Sequence, residues 1–131
     1  MSFTADISKF VAKANGNVDQ VVRKVTLDLA RSVVLKSPVD TGRFRANWVF
    51  GVGAIDAQTT DAVDKGGQGT LSRLAASIGA SKAGGQTYIS NSLPYAERLE
   101  YGWSQQAASG MVRVTLAEFD AFVRRAVQGQ T

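Results

Sequence analysis

Apolar residues recur at helical spacing from about residue 18 to residue 36, and the run stops at Pro38. Val18, Val21, Val22, Val25, Leu29 and Val33 fall on one side, and Gln20, Arg23, Lys24, Asp28 and Arg31 on the other. Valine is a poor intrinsic helix former, but strict alternation is absent, so the period outweighs the propensity and predicts a long amphipathic helix. Pro38 ends it by disfavouring the helical conformation at Ser37. Within a dozen residues of that stop come an Asp-Thr-Gly turn, Arg43, Arg45 and Trp48. Three readings of "KSPVDTGRFRANW" must be weighed: a catalytic loop, a nucleic-acid finger, or a structural corner facing another protein.

Composition narrows them. A chain of 131 residues is long enough for one domain with one real core. Hydrophobic residues make up 44% and charged residues 20%, an ordinary globular balance. No apolar run nears the ~20 residues a membrane span needs. The opening "MSFTADISKF" has no basic-then-apolar leader pattern, so the expectation is a protein made and kept in a cytoplasm. The absence of Cys excludes disulfides and thiolate chemistry, and the absence of His excludes Ser-His-Asp catalysis and the commonest zinc sites. No cofactor or metal is expected. Net charge is +4, with 8 Lys/Arg against 4 Asp/Glu in residues 1–50 and 7 against 7 in the remainder. The basic excess could meet phosphate or an acidic partner.

Around the long helix, residues 3–14 read as a short helix with Ile7, Phe10, Val11 and Ala14 on one face, broken by "NGN" at 15–17. Residues 47–53 read as a strand. Residues 54–69 are small, acidic and glycine-rich, and predict a flexible loop or arm that cannot anchor a core. A short helix capped at Thr70 covers 70–80, "KAGG" makes a turn, and 86–93 forms a second strand. Pro94 opens a short helix that Gly102 closes. "TLAE", Thr115 to Glu118, predicts a capping box starting the last helix, with Leu116, Phe119, Val123 and Val127 inward. The order predicts an α+β fold of a single domain over 1–131: a small antiparallel sheet packed against the long N-terminal helix and a C-terminal helix.

Each chemical motif has a plainer reading. Glu97 and Glu100 lie three apart on a helix and could act as an acid/base pair, but a solvated helix face is simpler. Asp56, Asp61 and Asp64 lack calcium-loop spacing. "GGQG" lacks the Lys-Ser/Thr of a phosphate loop. Asp40-Thr41-Gly42 matches the aspartic-protease triplet, yet it follows a helix and no second copy exists to share a proton. Lys36, Arg43, Arg45 and Trp48 could bind nucleic acid. Trp48 is expected in the core instead, with Arg43 and Arg45 projecting from an extended or turn segment at a surface or interface. Tyr95, Tyr101 and Trp103 suit a core rim or a protein interface equally. The plainest account of the corner has Pro38 fixing its entry, Asp40 accepting turn amides and Gly42 supplying backbone freedom.

Two segments together resemble the neck or tail-completion proteins of long-tailed bacteriophages, also described as tail components or minor tail proteins. "SPVDTGRFRANW" is similar to that family's Pro-Val-Asp-Thr-Gly-Arg corner. "YISNSLPYAERLEYGWSQQAASGMVRVTLAEF" is similar to its second signature. The two cover about half the chain in the expected order. The resemblance implies a virion structural protein, not an enzyme, made in the host bacterial cytoplasm. It implies a homo-oligomeric ring, a hexamer among the counts considered, at the head–tail joint. Implied partners are itself, other neck proteins, the tail terminator or the tail tube protein, with non-specific DNA contact in the lumen considered and no membrane. The alternatives are a tail terminator or head–tail stopper of the same joint, or a small nucleic-acid-binding module. The structural corner is then Pro38, Asp40, Thr41 and Gly42. The candidate assembly interface is Arg43, Arg45, Tyr95, Glu97, Glu100, Tyr101 and Trp103. Its expected charge match sets Glu100 against Arg45 of a neighbour, with Glu100→Lys leaving the monomer folded.

Overall fold

The computed structural model describes residues 2–3, 18–81, 86–102, 104–107 and 109–128. The expected helix over 3–14, the break at 15–17, the turn at 82–85 and the position of Trp103 lie outside them, except that Phe3 belongs to a strand.

The long helix α1, Val18–Lys36, forms where its periodicity predicts. Val21, Val25, Leu29, Ala30, Val33 and Val34 are all buried. Around it stand β1 (Ser2–Phe3), α2 (Arg43–Ala46), β2 (Trp48–Val52), α3 (Gln68–Gly79), β3 (Thr87–Asn91), α4 (Ala96–Glu100), a 3-10 turn at Gln105–Ala107, α5 (Val112–Ala117) and α6 (Phe119–Gln128). The fold is α+β. The antiparallel sheet has the order β1-β3-β2, with β1 contributing only two residues. Trp48 pairs with Asn91 and Phe50 with Ile89. Because side chains alternate across a strand, Trp48, Phe50 and Ile89 share the face that joins the core with α1, Leu74 and Ile78 of α3, and Phe122 and Val123 of α6.

The other face carries Val49, Gly51 and Ser90. Residues 54–56 cross it: a Cβ on Gly51 would stand 2.4 Å from the Ala54 carbonyl, and Ser90 Oγ donates to the Asp56 carbonyl at 3.4 Å. Residues 54–67 hold no helix or strand, as expected. The expectation that they anchor nothing does not hold. Thr60 donates its amide to Asn47 Oδ1 at 2.9 Å, and its carbonyl accepts from Asn47 Nδ2 at 3.0 Å. The stretch is a strap, tied down by a buried asparagine at the mouth of β2.

Three helix starts differ from expectation. α3 begins at Gln68, two residues before Thr70, because the capping carboxylate belongs to Asp64. Pro94 and Tyr95 form a turn ahead of α4. The capping box at Thr115 is absent. Thr115 is fully buried and donates its hydroxyl to Ser32 Oγ of α1 at 3.0 Å, while Glu118 meets Ser32 and the Lys36 ammonium. Those side chains join the last helices to α1, so the backbone turns helical earlier, at Val112, and Leu116 is left exposed.

Candidate functional site: the corner and the segment packed on it

The helix stop buries both Ser37 and Pro38. Ser37 Oγ donates to the Val33 carbonyl at 2.6 Å and accepts from Trp48 Nε1 at 2.8 Å, so the indole is seated where the helix ends. Gly42 follows with φ 93°. Its carbonyl accepts both the Ala46 amide, opening α2, and the Asp64 amide of the strap, at 3.1 and 3.0 Å. A Cβ here would lie 2.6 Å from the Lys65 nitrogen and 2.7 Å from that of Asp64. Glycine is therefore required twice, for its left-handed backbone and for the strap that lies against it. Asp40 does not hold the turn as expected. It is exposed, and the Arg43 amide is taken by Thr41 Oγ1 at 3.2 Å.

Arg43 and Arg45 stand on a helical turn, not an extended segment, and both are committed within the chain. Arg43 Nε donates to the Thr60 carbonyl at 3.1 Å, and its guanidinium meets Asp61 at 3.3 Å. Arg45 donates to the carbonyls of Ser37, Lys65 and Leu35 at 3.2, 2.8 and 2.9 Å. It thereby joins the end of α1 to the base of the strap, using the fork of donors a guanidinium carries.

The second segment packs directly on this corner. Asn91 Nδ2 donates to the Phe44 carbonyl at 2.9 Å. The Phe44 ring lies 5.9 Å from Trp48, edge-on, and 6.0 Å from Tyr95. Gln106 closes the junction: its Nε2 donates to the Val39 carbonyl at 3.0 Å and its Oε1 accepts the Val39 amide at 2.9 Å, as a strand neighbour would. A cleft of about 230 Å³ remains between Pro38–Phe44 and Tyr95, Leu99 and Gln106.

Glu97 and Glu100 do not form a carboxylate edge. Glu97 is exposed, whereas Glu100 is only 5% exposed. Its carboxylate accepts the amides of Met111, Val112 and Arg113 at 2.8, 2.8 and 3.1 Å, and Arg113 Nε at 3.1 Å. Burial pushes this carboxyl up, but the three amides and the guanidinium outweigh it and hold it below its ordinary value. Arg113 also covers the Tyr101 ring at 5.2 Å. Tyr101 is 70% exposed and Tyr95 about a third, so these two rings do reach the surface. The expected charge match of Glu100 with Arg45 of a neighbour is therefore withdrawn, since one side chain is buried and the other is spent on carbonyls.

Asp64 makes a second clamp. Its carboxylate accepts the Gly67 amide at 3.2 Å, the Thr70 amide at 2.7 Å and the Thr70 hydroxyl at 2.8 Å. The Thr70 amide is the chief cause of its lowered pKa. Glu118 is also held low, first by the Lys36 ammonium.

Sequence reasoning passed over Asn47, Gln106 and Arg113, and weighed Asp64 only as a calcium ligand. Asp64 alone left a local sign, an acidic side chain just before a Gly-Gly turn and a helix start. Gln106 and Arg113 act across thirteen residues or more, as Asn47 does toward Thr60, and no local pattern announces them. Among the described residues no group of His, Cys, Asp or Glu is placed to hold a metal ion, and no helix is long and apolar enough to cross a membrane. No protein-family model, curated protein or solved structure matches the chain.

Proposed function

We propose that this chain is a structural subunit of a bacteriophage neck or tail-completion assembly, forming a homo-oligomeric ring where the head connector meets the tail tube. One observation carries the reading. The two segments whose residues resemble that family, 37–48 and 88–119, are far apart in sequence yet build one continuous unit. Val39 and Gln106 exchange two hydrogen bonds, Asn91 holds the Phe44 carbonyl, and Phe44 contacts Tyr95. Motifs that matter jointly are expected to meet, and these do.

The unit suits a rigid surface. Its arginines brace carbonyls, and its buried carboxylate pins a helix start. Tyr95 stays exposed beside the cleft, and Glu97 and Tyr101 stay exposed nearby in the chain, where amphipathic rings contribute contact area. The contact chemistry differs from the sequence expectation: aromatic area flanking α4 replaces an Arg–Glu match. Heterologous contacts of this kind close into a ring when the rotation allows.

Negative-stain imaging and native mass measurement of the purified chain, alone and with a tail tube protein, test the proposal. The expected result is a closed ring of fixed copy number that Tyr101→Ala weakens without lowering the melting temperature. A chain that never assembles in either mixture, and instead binds duplex DNA in a salt-sensitive way, would overturn it.

A further inference from the structure

The edge of the sheet at β2 has a backbone pattern that nothing among the described residues completes. Gly53 donates its amide to the Gln86 carbonyl at 2.8 Å. That bond sets the parity of the antiparallel ladder: Val49 and Gly51 turn their polar backbone groups toward β3, whereas Trp48, Phe50 and Val52 turn theirs outward. The outward Trp48 carbonyl is met by Arg73 Nη2 at 2.7 Å, and the same nitrogen reaches the Ala46 carbonyl at 3.2 Å. Among the described residues the outward groups of Phe50 and Val52 meet nothing. Val52 is 59% exposed. Folded proteins guard such edges with Lys, Pro, a bulge or a covering loop. The β2 sequence WVFGV has no charge and no proline. Residues 54–56 cross the face at Gly51, and no described residue is hydrogen-bonded to the edge beyond Trp48.

We propose that this edge docks the same strand of a second copy, antiparallel about Gly51. Phe50 then lies opposite Val52 of the partner subunit, and Val52 opposite the partner's Phe50. Each pair exchanges both backbone bonds, about four in all, and sets an aromatic against a β-branched side chain. The same strand is the occupant because this register satisfies both copies at once, matches both side-chain pairs and leaves the Arg73 contact intact. The contact is independent of the ring proposed above. It uses no residue of the corner or of α4, and a two-fold pairing is a different symmetry from head-to-tail closure.

Sedimentation equilibrium of the full chain from micromolar to millimolar, with amide exchange at both ends of the range, tests it. A concentration-dependent dimer is expected, with the Phe50 and Val52 amides exchanging about tenfold or more slowly once it forms. Val52→Lys sets an ammonium opposite the partner's Phe50 in each pair and brings two like charges diagonally together on one face. Val52→Pro removes an outward N–H that β3 does not use. Both are expected to remain monomeric with the melting temperature little changed. A chain monomeric throughout, a Val52→Lys variant that dimerises like the parent, or a dimer without slowed exchange at those two amides would overturn the proposal. If either variant fails to fold, the parent's exchange data decide alone. A chain that forms rings yet shows no such slowing refutes the β2 contact and leaves the ring standing.

Discussion

Helices α3 and α5 both begin with amides bonded to a carboxylate that lies outside the helix. At α5 the carboxylate is Glu100, buried, three amides deep and backed by Arg113. At α3 it is Asp64, half-buried on the strap, with two amides and one hydroxyl. Glu100 reaches across eleven to thirteen residues and locks two parts of the corner's partner segment together. Asp64 reaches three to six residues forward and anchors the strap to the body. The chemistry is the same, but the burial differs. A carboxylate withdrawn from water must be fully satisfied, and removing it strands amides that water cannot reach. One at the surface can be replaced by solvent at little cost.

The largest effect that tests this contrast is Glu100→Ala. It leaves the Met111 and Val112 amides unpaired in the interior and frees Arg113. A loss of about 3 kcal/mol in urea unfolding is expected. Glu100→Lys should be worse, since an ammonium would face amide donors. A folded Glu100→Lys variant with the parent's stability would mean that this clamp contributes nothing.

Next comes Gly42→Val, where the corner meets the strap. A β-branched side chain at φ 93° is strained, and its Cβ would overlap the backbone nitrogens of Asp64 and Lys65. A loss of about 2 kcal/mol or more is expected in thermal melts. The strap should also be cleaved faster by a protease, because it loses its seat before the core does. Equal proteolysis rates for parent and variant would show that the strap does not rest on Gly42.

Asp64→Asn should cost only about 1 kcal/mol, as loss of a helix cap does. The damage should stay local: faster amide exchange at Gly67 and Thr70, with Met111 and Val112 unchanged. If the two helix entries loosen together, they form one cooperative unit and the contrast between them fails.

How far the sequence made these regions legible follows from the range of the forces. α1 was readable because periodicity is local and long, and Pro38 marks its end. Both main strands and the α+β class followed from runs of β-rich residues between turns. The buried Trp48 and the glycine at the corner were readable too, from residue type and turn chemistry. Glu100 was misread because a helical period of three places it beside Glu97, while burial depends on what the chain does at residues 111–113. The strap was misread because composition reports the lack of an apolar core, and its anchors are hydrogen bonds to Asn47, Gly42 and Thr70. "TLAE" fits a capping box locally, yet Ser32 and Lys36 of α1 compete for Thr115 and Glu118, and the tertiary partners win.

The smallest expected effect is the response to acid, which separates the two clamps by pH. Both carboxyls are held below their ordinary values, 4.5 for Glu100 and 3.8 for Asp64. A carboxyl whose pKa falls on folding binds its proton more tightly in the unfolded chain. Its contribution is therefore complete above the unfolded value and drains away as pH falls through the folded one. Stability should be flat near neutrality, begin to fall below 4.5 as Glu100 and Glu118 lose their advantage, and fall further below 3.8 as Asp64 does. Glu100→Gln and Asp64→Asn each remove one titrating group, so each should flatten its own part of the curve. Urea midpoints at pH 7, 4.5 and 3 read the global slope, and exchange at Met111 and Thr70 reads each helix entry. Should the Glu100→Gln slope between pH 4.5 and 3 match the parent's, the acid loss comes from elsewhere, and Glu118 beside Lys36 is the next carboxylate to replace.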